Sequence, residues 1–241
     1  MGYKLTPSCI APTRLVNVDR DNITVIILAA NIGYGMKSYG PKTLLSVNEK
    51  ETLLEYQISL IRSVFPKADI ILVVGFLADR IIRKCPSGIR IIENQLYEQT
   101  NEATQIRLAL NCTLTDNVLI IKDDIIFNAE TLREISKDKS CLIYDSSGQI
   151  DSDNVGVTVV DNTITTFSFD MPSKWCHIAY LTLKDLKTIR SLCNNREHSR
   201  LYFFEILNML LNKIDKIKAI EPKAMEIIKI DNSRDLDKLR G

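Results

Sequence analysis

The chain has 241 residues, of which 45% are hydrophobic and 25% are charged, which excludes a disordered protein and allows a substantial core without disulfides. Its formal net charge of +1 gives no field that would attract nucleic acid or an anionic membrane. The longest apolar runs, Thr24–Ala30 and Ile70–Val74, are too short to span a bilayer, so neither nucleic acid nor a membrane is expected as a partner.

Apolar runs typical of covered strands alternate with helical spacing from Ile23 onward. Residues 1–22 lack clean periodicity and are predicted to be an N-terminal extension; residues 23–241 are predicted to form one α/β domain. The predicted strands are 23–28, 69–74, 89–92, 117–121 and 140–144, and the predicted helices are 53–64, 77–84, 103–110 and 129–137. This alternation predicts a Rossmann-like three-layer sandwich with a mostly parallel mixed sheet.

The pattern changes after Asp145. Residues 155–160 and 163–169 flank Asp161-Asn162, which predicts a small β-hairpin insertion around a two-residue turn. A strand at 177–182, helices at 184–193 and 201–211, apolar segments at 215–219 and 224–230, and a terminal helix at 233–239 complete the chain.

Cysteine and histidine usage argues against a zinc site. The six cysteines are scattered without a CxxC pair, and the chain has only two histidines. We interpret the cysteines as reduced, mostly buried thiols and expect a cytoplasmic protein.

The loop after the first predicted strand, Leu28–Lys42, combines small residues, three glycines and two lysines. Ligands of doubly wound sheets bind beyond the carboxyl ends of the strands, and small residues let backbone N–H groups approach a polyphosphate. The loop therefore indicates phosphate binding, with a flexible glycine loop as the alternative. It has neither the dinucleotide fingerprint nor the P-loop spacing.

Three segments, in chain order, resemble motifs of the nucleotidyltransferases with a GT-A-like fold. Ala29-Ala30-x-x-Gly33, then Met36 and Pro41-Lys42-x-Leu44, is similar to their signature loop. Val118–Asp124 resembles their strand ending in Gly-Asp, and Ile228–Asp231 with Asp235-Leu236 resembles their closing strand and helix. The resemblance spans about residues 23–239 and implies a GT-A-like fold and an enzyme that activates small phosphates with a nucleotide.

Two positions depart from the family pattern. Asn31 stands where glycine is usual, and Gly35 where arginine is usual. Asn is the non-glycine residue most tolerant of left-handed backbone angles, so we expect the turn to survive, and Lys37 is the candidate replacement for the missing cation. The departures keep open a nucleotide-binding module that has lost turnover.

The resemblance implies transfer of a nucleoside monophosphate from an NTP to a small phosphorylated sugar, polyol or choline-like acceptor, with release of pyrophosphate. Asp124 and Asp231 would share one Mg²⁺, and only one of Asp123 and Asp124 is expected to reach it, because successive strand side chains face opposite ways. Lys42 and Lys37 would be the catalytic cations. Taken alone, Asp124 also fits a solvated strand end, and Asp231 a helix cap.

The nucleotide-binding prediction comprises Leu28, Ala29, Ala30, Asn31, Gly33 and Gly35 in the loop, Gly75 beneath the base, and Thr100 and Asn101. Thr100-Asn101 resembles a segment of cytidylyltransferases acting on choline phosphate, which favours CTP over UTP. The same pair also suits an ordinary helix cap before Ala103.

The acceptor-binding prediction comprises Lys174 and Trp175, which fall where related enzymes place such residues; a packing role for the tryptophan is the alternative. The apolar cluster at 201–207 is interpreted as a candidate homodimer contact. A GT-A glycosyltransferase is the alternative enzyme, although it would require a DxD arrangement that the adjacent Asp123 and Asp124 do not provide.

Overall fold

A computed structural model describes residues 23–33, 40–135, 138–147, 154–214, 216–231 and 235. The predicted extension, Gly35, Lys37 and all of the predicted terminal helix except Asp235 lie outside the described residues. The strands are β1 (Thr24–Ala29), β2 (Asp69–Val74), β3 (Arg90–Glu93), β4 (Val118–Lys122), β5 (Ile125–Phe127), β6 (Cys141–Asp145), β7 (Gly156–Val160), β8 (Thr163–Ser168), β9 (Ser173–Leu181), β10 (Ile217–Ile220) and β11 (Ile227–Lys229). The helices are α1 (Leu53–Val64), α2 (Ala78–Lys84), α3 (Glu102–Asn111), α4 (Ala129–Arg133), α5 (Leu183–Asn194) and α6 (Phe203–Leu211).

The main sheet is mixed, as predicted. Its order across the described residues is β3-β2-β1-β4-β9-β6-β10-β8-β7. The first four strands are mutually parallel, and β9 enters antiparallel between β4 and β6. β7 also pairs with β9, so the last strands curl back onto the middle of the sheet.

Helices cover both faces of this sheet, which confirms the three-layer sandwich. Alternate residues of β1 belong to different core clusters: Ile26 and Leu28 pack on the side of α3, α5 and α6, and Val25 and Ile27 on the side of α1. A strand buried on both faces needs apolar residues throughout, which is why β1 shows no polar alternation.

Helix α1 and strand β2 have the bounds predicted from the sequence. The start of α1 is fixed by a capping box, in which Thr52 and Glu55 each satisfy the other's backbone N–H. The predicted hairpin is also present, as β7 and β8. Its turn residues Asp161 and Asn162 have φ of 48° and 56°, the left-handed pair that a tight hairpin needs.

Other elements differ from the prediction. α4 ends at Arg133 rather than at 137, and β9 begins at Ser173 rather than at 177. β9 contains an irregularity opposite Leu142 and Tyr144, where His177 adopts a φ of 56°. The described helices include none long and apolar enough to cross a membrane.

Candidate active site

A small antiparallel sheet of β5 and β11 brings two distant acidic residues together. Asp124 lies in the turn between β4 and β5, and Asp231 follows β11. Ile125 pairs with Lys229, and the Ile230 N–H donates to the Asp124 carbonyl oxygen at 2.7 Å. This pairing delivers both carboxylates to the carboxyl end of β4.

The ammonium of Lys42 contacts both of these carboxylates. Its Nζ lies 3.3 Å from Asp124 Oδ2 and 3.9 Å from Asp231 Oδ1, and it donates to the Ile230 carbonyl oxygen at 2.6 Å. The lysine stem passes so close to Gly33 that a Cβ there would lie 2.9 Å from Lys42 Cε. Because Gly33 has no Cβ, the side chain of Lys42 has room to reach the two carboxylates.

Two further lysines extend this arrangement on either side. Lys122 Nζ lies 3.1 Å from Glu102 Oε1 and 3.9 Å from Asp124 Oδ2. Lys229 Nζ lies 2.8 Å from Asp231 Oδ1 and donates to Asn154 Oδ1 at 2.8 Å. Ammonium and carboxylate groups thus alternate, which gives each charge removed from water an opposite neighbour.

The pKa values of the adjacent residues Asp123 and Asp124 are shifted in opposite directions. Burial would raise the pKa of Asp124, but the ammonium groups of Lys122 and Lys42 outweigh it and hold that pKa well below its ordinary value. Burial and the neighbouring Asp124 charge raise the pKa of Asp123 to about 7. Asp124 is therefore the permanently charged member of the pair at neutral pH.

The oxygen donors at this position suit a magnesium ion. Asp124 Oδ1 is buried and has no hydrogen-bond partner among the described residues. Mg²⁺ is typically bound through one or two carboxylates together with substrate phosphates and water. Within the described ranges no group of three or more His, Cys, Asp or Glu side chains is arranged around one point, so such an ion would draw its other ligands from substrate and solvent.

The charged groups line a cleft of about 1050 Å³, at the upper end of the range for small-molecule sites. Its lining combines amide and aromatic side chains with charged ones. The lining residues are Asn31, Ile32, Gly33, Lys42, Tyr97, Glu98, Gln99, Thr100, Asn101, Lys122, Asp123, Asp124, Arg200, Tyr202, Lys229 and Asp231.

Several solved structures with the same architecture are named as nucleotide-transferring enzymes. CTP:phosphocholine cytidylyltransferase from Streptococcus pneumoniae superimposes with a TM-score of 0.74 at 19% identity, over 90% of this chain and 97% of that one. The inositol-1-phosphate CTP transferase from T. maritima gives 0.72 at 16% identity, over 90% and 96%. A putative glucose-1-phosphate thymidylyltransferase from Bacillus anthracis gives 0.70 at 14% identity, over 90% and 93%.

The chain has the nucleotidyltransferase fold. No protein-family model and no curated protein matches its sequence. At these identities the likeness extends to the fold, and the chemistry has to be argued from the residues of the cleft.

On this nucleotidyltransferase fold, Asn31 uses its side chain rather than a left-handed backbone. Positive φ at described non-glycine residues is confined to Leu77, Asp161, Asn162, Asp170 and His177, so the tolerance of Asn for left-handed angles is not used at Asn31. Instead, Asn31 Nδ2 donates to Asn101 Oδ1 at 3.1 Å, and its Oδ1 accepts from Gln105 Nε2 at 2.8 Å. Asn31 therefore stands at the glycine position as a hydrogen-bonding residue.

Asn101 and Thr100 line the cleft and also have structural roles. Asn101 caps α3 by accepting from the Glu102 N–H at 2.9 Å, so the capping interpretation is confirmed for it. Thr100 Oγ1 accepts from Asn94 Nδ2 at 3.0 Å and donates to the Leu96 carbonyl oxygen at 2.8 Å. Contact of either residue with a nucleotide stays a prediction.

The end of β1 and Gly75 lie behind the cleft surface rather than on it. Leu28, Ala29 and Ala30 are buried, and the Ala30 N–H already donates to Gln105 Oε1 at 3.2 Å, so it is not free for a phosphate. A Cβ on Gly75 would lie 2.7 Å from the Ala30 carbonyl oxygen and 2.7 Å from Tyr97 Cβ. Gly75 is thus required for close packing of β2 against the loop.

Lys174 and Trp175 are not brought to the cleft. Trp175 is 1% exposed, and its ring meets Phe167 and Phe203 edge-on at centroid distances of 5.3 and 5.6 Å. Its aromatic face is therefore not available to an acceptor, and that prediction is wrong because the side chain faces the core. Lys174 lies on β9 where it pairs with β6 and β7.

The apolar cluster at 201–207 is used mainly within the chain. Phe203, Ile206 and Leu207 are buried in the core, and Tyr202 is 46% exposed at the cleft. The prediction that these residues form a homodimer contact therefore fails for the three buried ones, and the homodimer itself stays a prediction.

Sequence reasoning missed Gln105, Lys122 and Lys229. Gln105 lies in a regular helical pattern, and the two lysines end otherwise apolar strands. A lysine at the last position of an apolar strand is a signal that would have found the latter pair, because a charge withdrawn from water there needs a carboxylate nearby.

Proposed function

We propose that the chain is a Mg²⁺-dependent nucleotidyltransferase that transfers a nucleoside monophosphate from an NTP to a small phosphorylated sugar, polyol or choline-like acceptor, with CTP favoured and UTP as the alternative. The observation that carries the proposal is the meeting of Asp124 and Asp231 at Lys42, because these are the positions that resemble the family's metal ligands and catalytic lysine. The fold shared with the phosphocholine and inositol-1-phosphate enzymes supports it.

In the proposed reaction, an acceptor phosphate oxygen attacks the α-phosphorus of the NTP. A new P–O bond forms, the bond between the α-phosphorus and the bridging oxygen breaks, and its electron pair leaves on pyrophosphate. Lys42 would neutralise the charge that builds on the α-phosphate oxygens, and the cleft walls would align the two phosphates in line. Bound Mg²⁺ would supply further charge neutralisation, held by Asp124 and Asp231.

A pyrophosphate-release assay tests this function. Each of the four NTPs is combined with sugar 1-phosphates, inositol 1-phosphate and phosphocholine, and Asp124→Asn and Asp231→Asn are compared with Asp79→Asn. Asp79 is an exposed carboxylate in the first turn of α2, so its substitution is a matched control. We expect release by the wild type and by Asp79→Asn only.

Two other results would contradict the proposal. Release of a nucleoside diphosphate from a nucleotide sugar would identify a glycosyltransferase instead. Nucleotide binding without any product would identify the non-catalytic module that the departures at Asn31 and Gly35 left open.

A further inference from the structure

Gln105 lies behind the wall of the cleft and uses both ends of its amide. It is fully buried on α3, outside the residues that line the cleft. Its Oε1 accepts from the Ala30 N–H at 3.2 Å, and its Nε2 donates to Asn31 Oδ1 at 2.8 Å. One side chain on a helix therefore holds two successive residues of the loop that follows β1.

The hydrogen bonds continue from Asn31 to the cleft surface. Asn31 Nδ2 donates to Asn101 Oδ1 at 3.1 Å, and Asn101 also caps α3. Asn31 and Asn101 both line the cleft. Asn101 lies four residues before Gln105 in the sequence. Positions four apart lie on the same helix face, so α3 contacts the loop at two successive turns.

We propose that Gln105 is a positioning residue for the nucleotide, and that it acts through Ala30 and Asn31. Glycine at position 31 would have no side chain to hydrogen-bond with Gln105 and Asn101, so neither residue could hold the loop through position 31. In this chain the Asn31 side chain is hydrogen-bonded to the buried Gln105 of α3, so Ala30 and Asn31, at the start of the loop, are held in place before a nucleotide binds. A preordered loop loses less conformational entropy when a nucleotide binds, which raises affinity. The inference rests on the proposed function, since it assigns the loop to nucleotide binding.

The alternative is that Gln105 contributes to stability alone, and Asn208 provides the matched control. Asn208 is another amide that bridges a backbone: its Oδ1 accepts from the Phe167 N–H at 2.9 Å, and its Nδ2 donates to the Phe167 carbonyl oxygen at 2.8 Å. It lies outside the cleft lining. Near-isosteric apolar replacements, Gln105→Met and Asn208→Leu, each remove two hydrogen bonds.

The test compares CTP and UTP binding by calorimetry with thermal unfolding of the same variants. We expect both variants to unfold at lower temperature, but only Gln105→Met to raise the Kd for the nucleotide, by about tenfold, the effect of losing one or two neutral hydrogen bonds. In steady state, the KM for the NTP should rise while the KM for the acceptor stays unchanged. Equal nucleotide affinity in the two variants would overturn the inference.

A second variant keeps the test decisive if Gln105→Met does not fold. Asn31→Ala removes the hydrogen bond between Gln105 and Asn31 at a partly exposed loop position, leaves that from the Ala30 N–H, and should also raise the nucleotide Kd. If Gln105→Met and Asn31→Ala both fold, the variant that carries both substitutions should have a nucleotide Kd no higher than the higher of the two single-variant values. The reason is that the two residues act as a unit. A double-variant Kd raised by the product of the two single-variant factors would contradict the proposal. A wild-type chain that binds neither CTP nor UTP would instead overturn the proposed function.

Discussion

Lys42 Nζ lies 3.3 Å from Asp124 Oδ2, with both side chains largely withdrawn from solvent. Asp231 Oδ1 lies 3.9 Å from the same nitrogen, so the ammonium is the counter-ion of both carboxylates. The lysine expected to neutralise a phosphate and the carboxylates expected to hold a cation are therefore direct neighbours.

Replacing Lys42 with Met should separate metal binding from catalysis. Loss of the ammonium removes a cation that competes with a metal ion for Asp124 and Asp231. The affinity of the nucleotide-free protein for Mn²⁺ should therefore rise by roughly tenfold. Turnover should fall by about 100-fold, the effect of losing one preorganised electrostatic group. Mn²⁺ binding by electron paramagnetic resonance checks the first effect, with the exposed Lys50→Met as control. Unchanged Mn²⁺ affinity would show that Lys42 does not compete for this position.

Asp123 should make stability fall as pH rises. Its pKa is raised from 3.8 to about 7 by burial and by Asp124, so its contribution is fully present below pH 4 and is lost as pH rises towards 7. Asp124 has the opposite sign, because its pKa is lowered and its contribution is lost only as pH falls below 4.

Asp123→Asn should therefore be more stable than the wild type at pH 8 and nearly equal to it at pH 4. Urea unfolding in EDTA at both pH values measures the difference. A gain of the same size at both would contradict the assigned pKa.

The glycines at 33 and 75 should respond differently to alanine. A Cβ at Gly75 meets the Ala30 carbonyl oxygen at 2.7 Å, and backbone cannot give way cheaply, so we expect Gly75→Ala to cost about 1–3 kcal/mol in the free energy of unfolding. A Cβ at Gly33 meets only the flexible stem of Lys42. Gly33→Ala should thus keep most of the stability and lower turnover by displacing the lysine. Chemical denaturation and pyrophosphate release distinguish the two, and equal stability losses would count against this account.

Trp175→Phe tests the finding that Trp175 packs in the core and does not contact the acceptor. The indole is enclosed by Phe167, Phe203 and the His177 ring, whose centroid lies 4.5 Å away. We expect a loss of about 1–3 kcal/mol from the cavity that the smaller ring leaves, with no change in acceptor KM. A changed KM at unchanged stability would return Trp175 to the acceptor site.

Thr52→Ala should destabilise the chain by about 1 kcal/mol, because it removes the side-chain half of the capping box at α1. Urea denaturation measures the loss. Ser63→Ala is the control, since the Ser63 hydroxyl donates only to an exposed carbonyl within the helix. A loss no larger than that of the control would mean that the box contributes little.

Local pattern was sufficient for the layers of the fold. The 3.6-residue spacing after Thr52 predicted α1 to the residue, and the uninterrupted apolar runs predicted β1 and β2 as strands covered on both sides. Asp161-Asn162 predicted the hairpin, because few residue pairs adopt two successive left-handed conformations. These features depend on neighbours in sequence, which a single chain displays directly.

Only the tertiary structure decided which side chains meet at the cleft. Asp231 reaches Asp124 through the three-residue strands β5 and β11, which are too short for periodicity to mark. Lys122 likewise meets Glu102 of α3 only in the folded chain. Trp175 lies on the same covered face of β9 as Ala179 and Leu181, and the sequence prediction missed this because it began that strand at 177 rather than at Ser173. Contacts between residues far apart in sequence depend on strand register, and a shift of one residue exchanges the two faces of a strand.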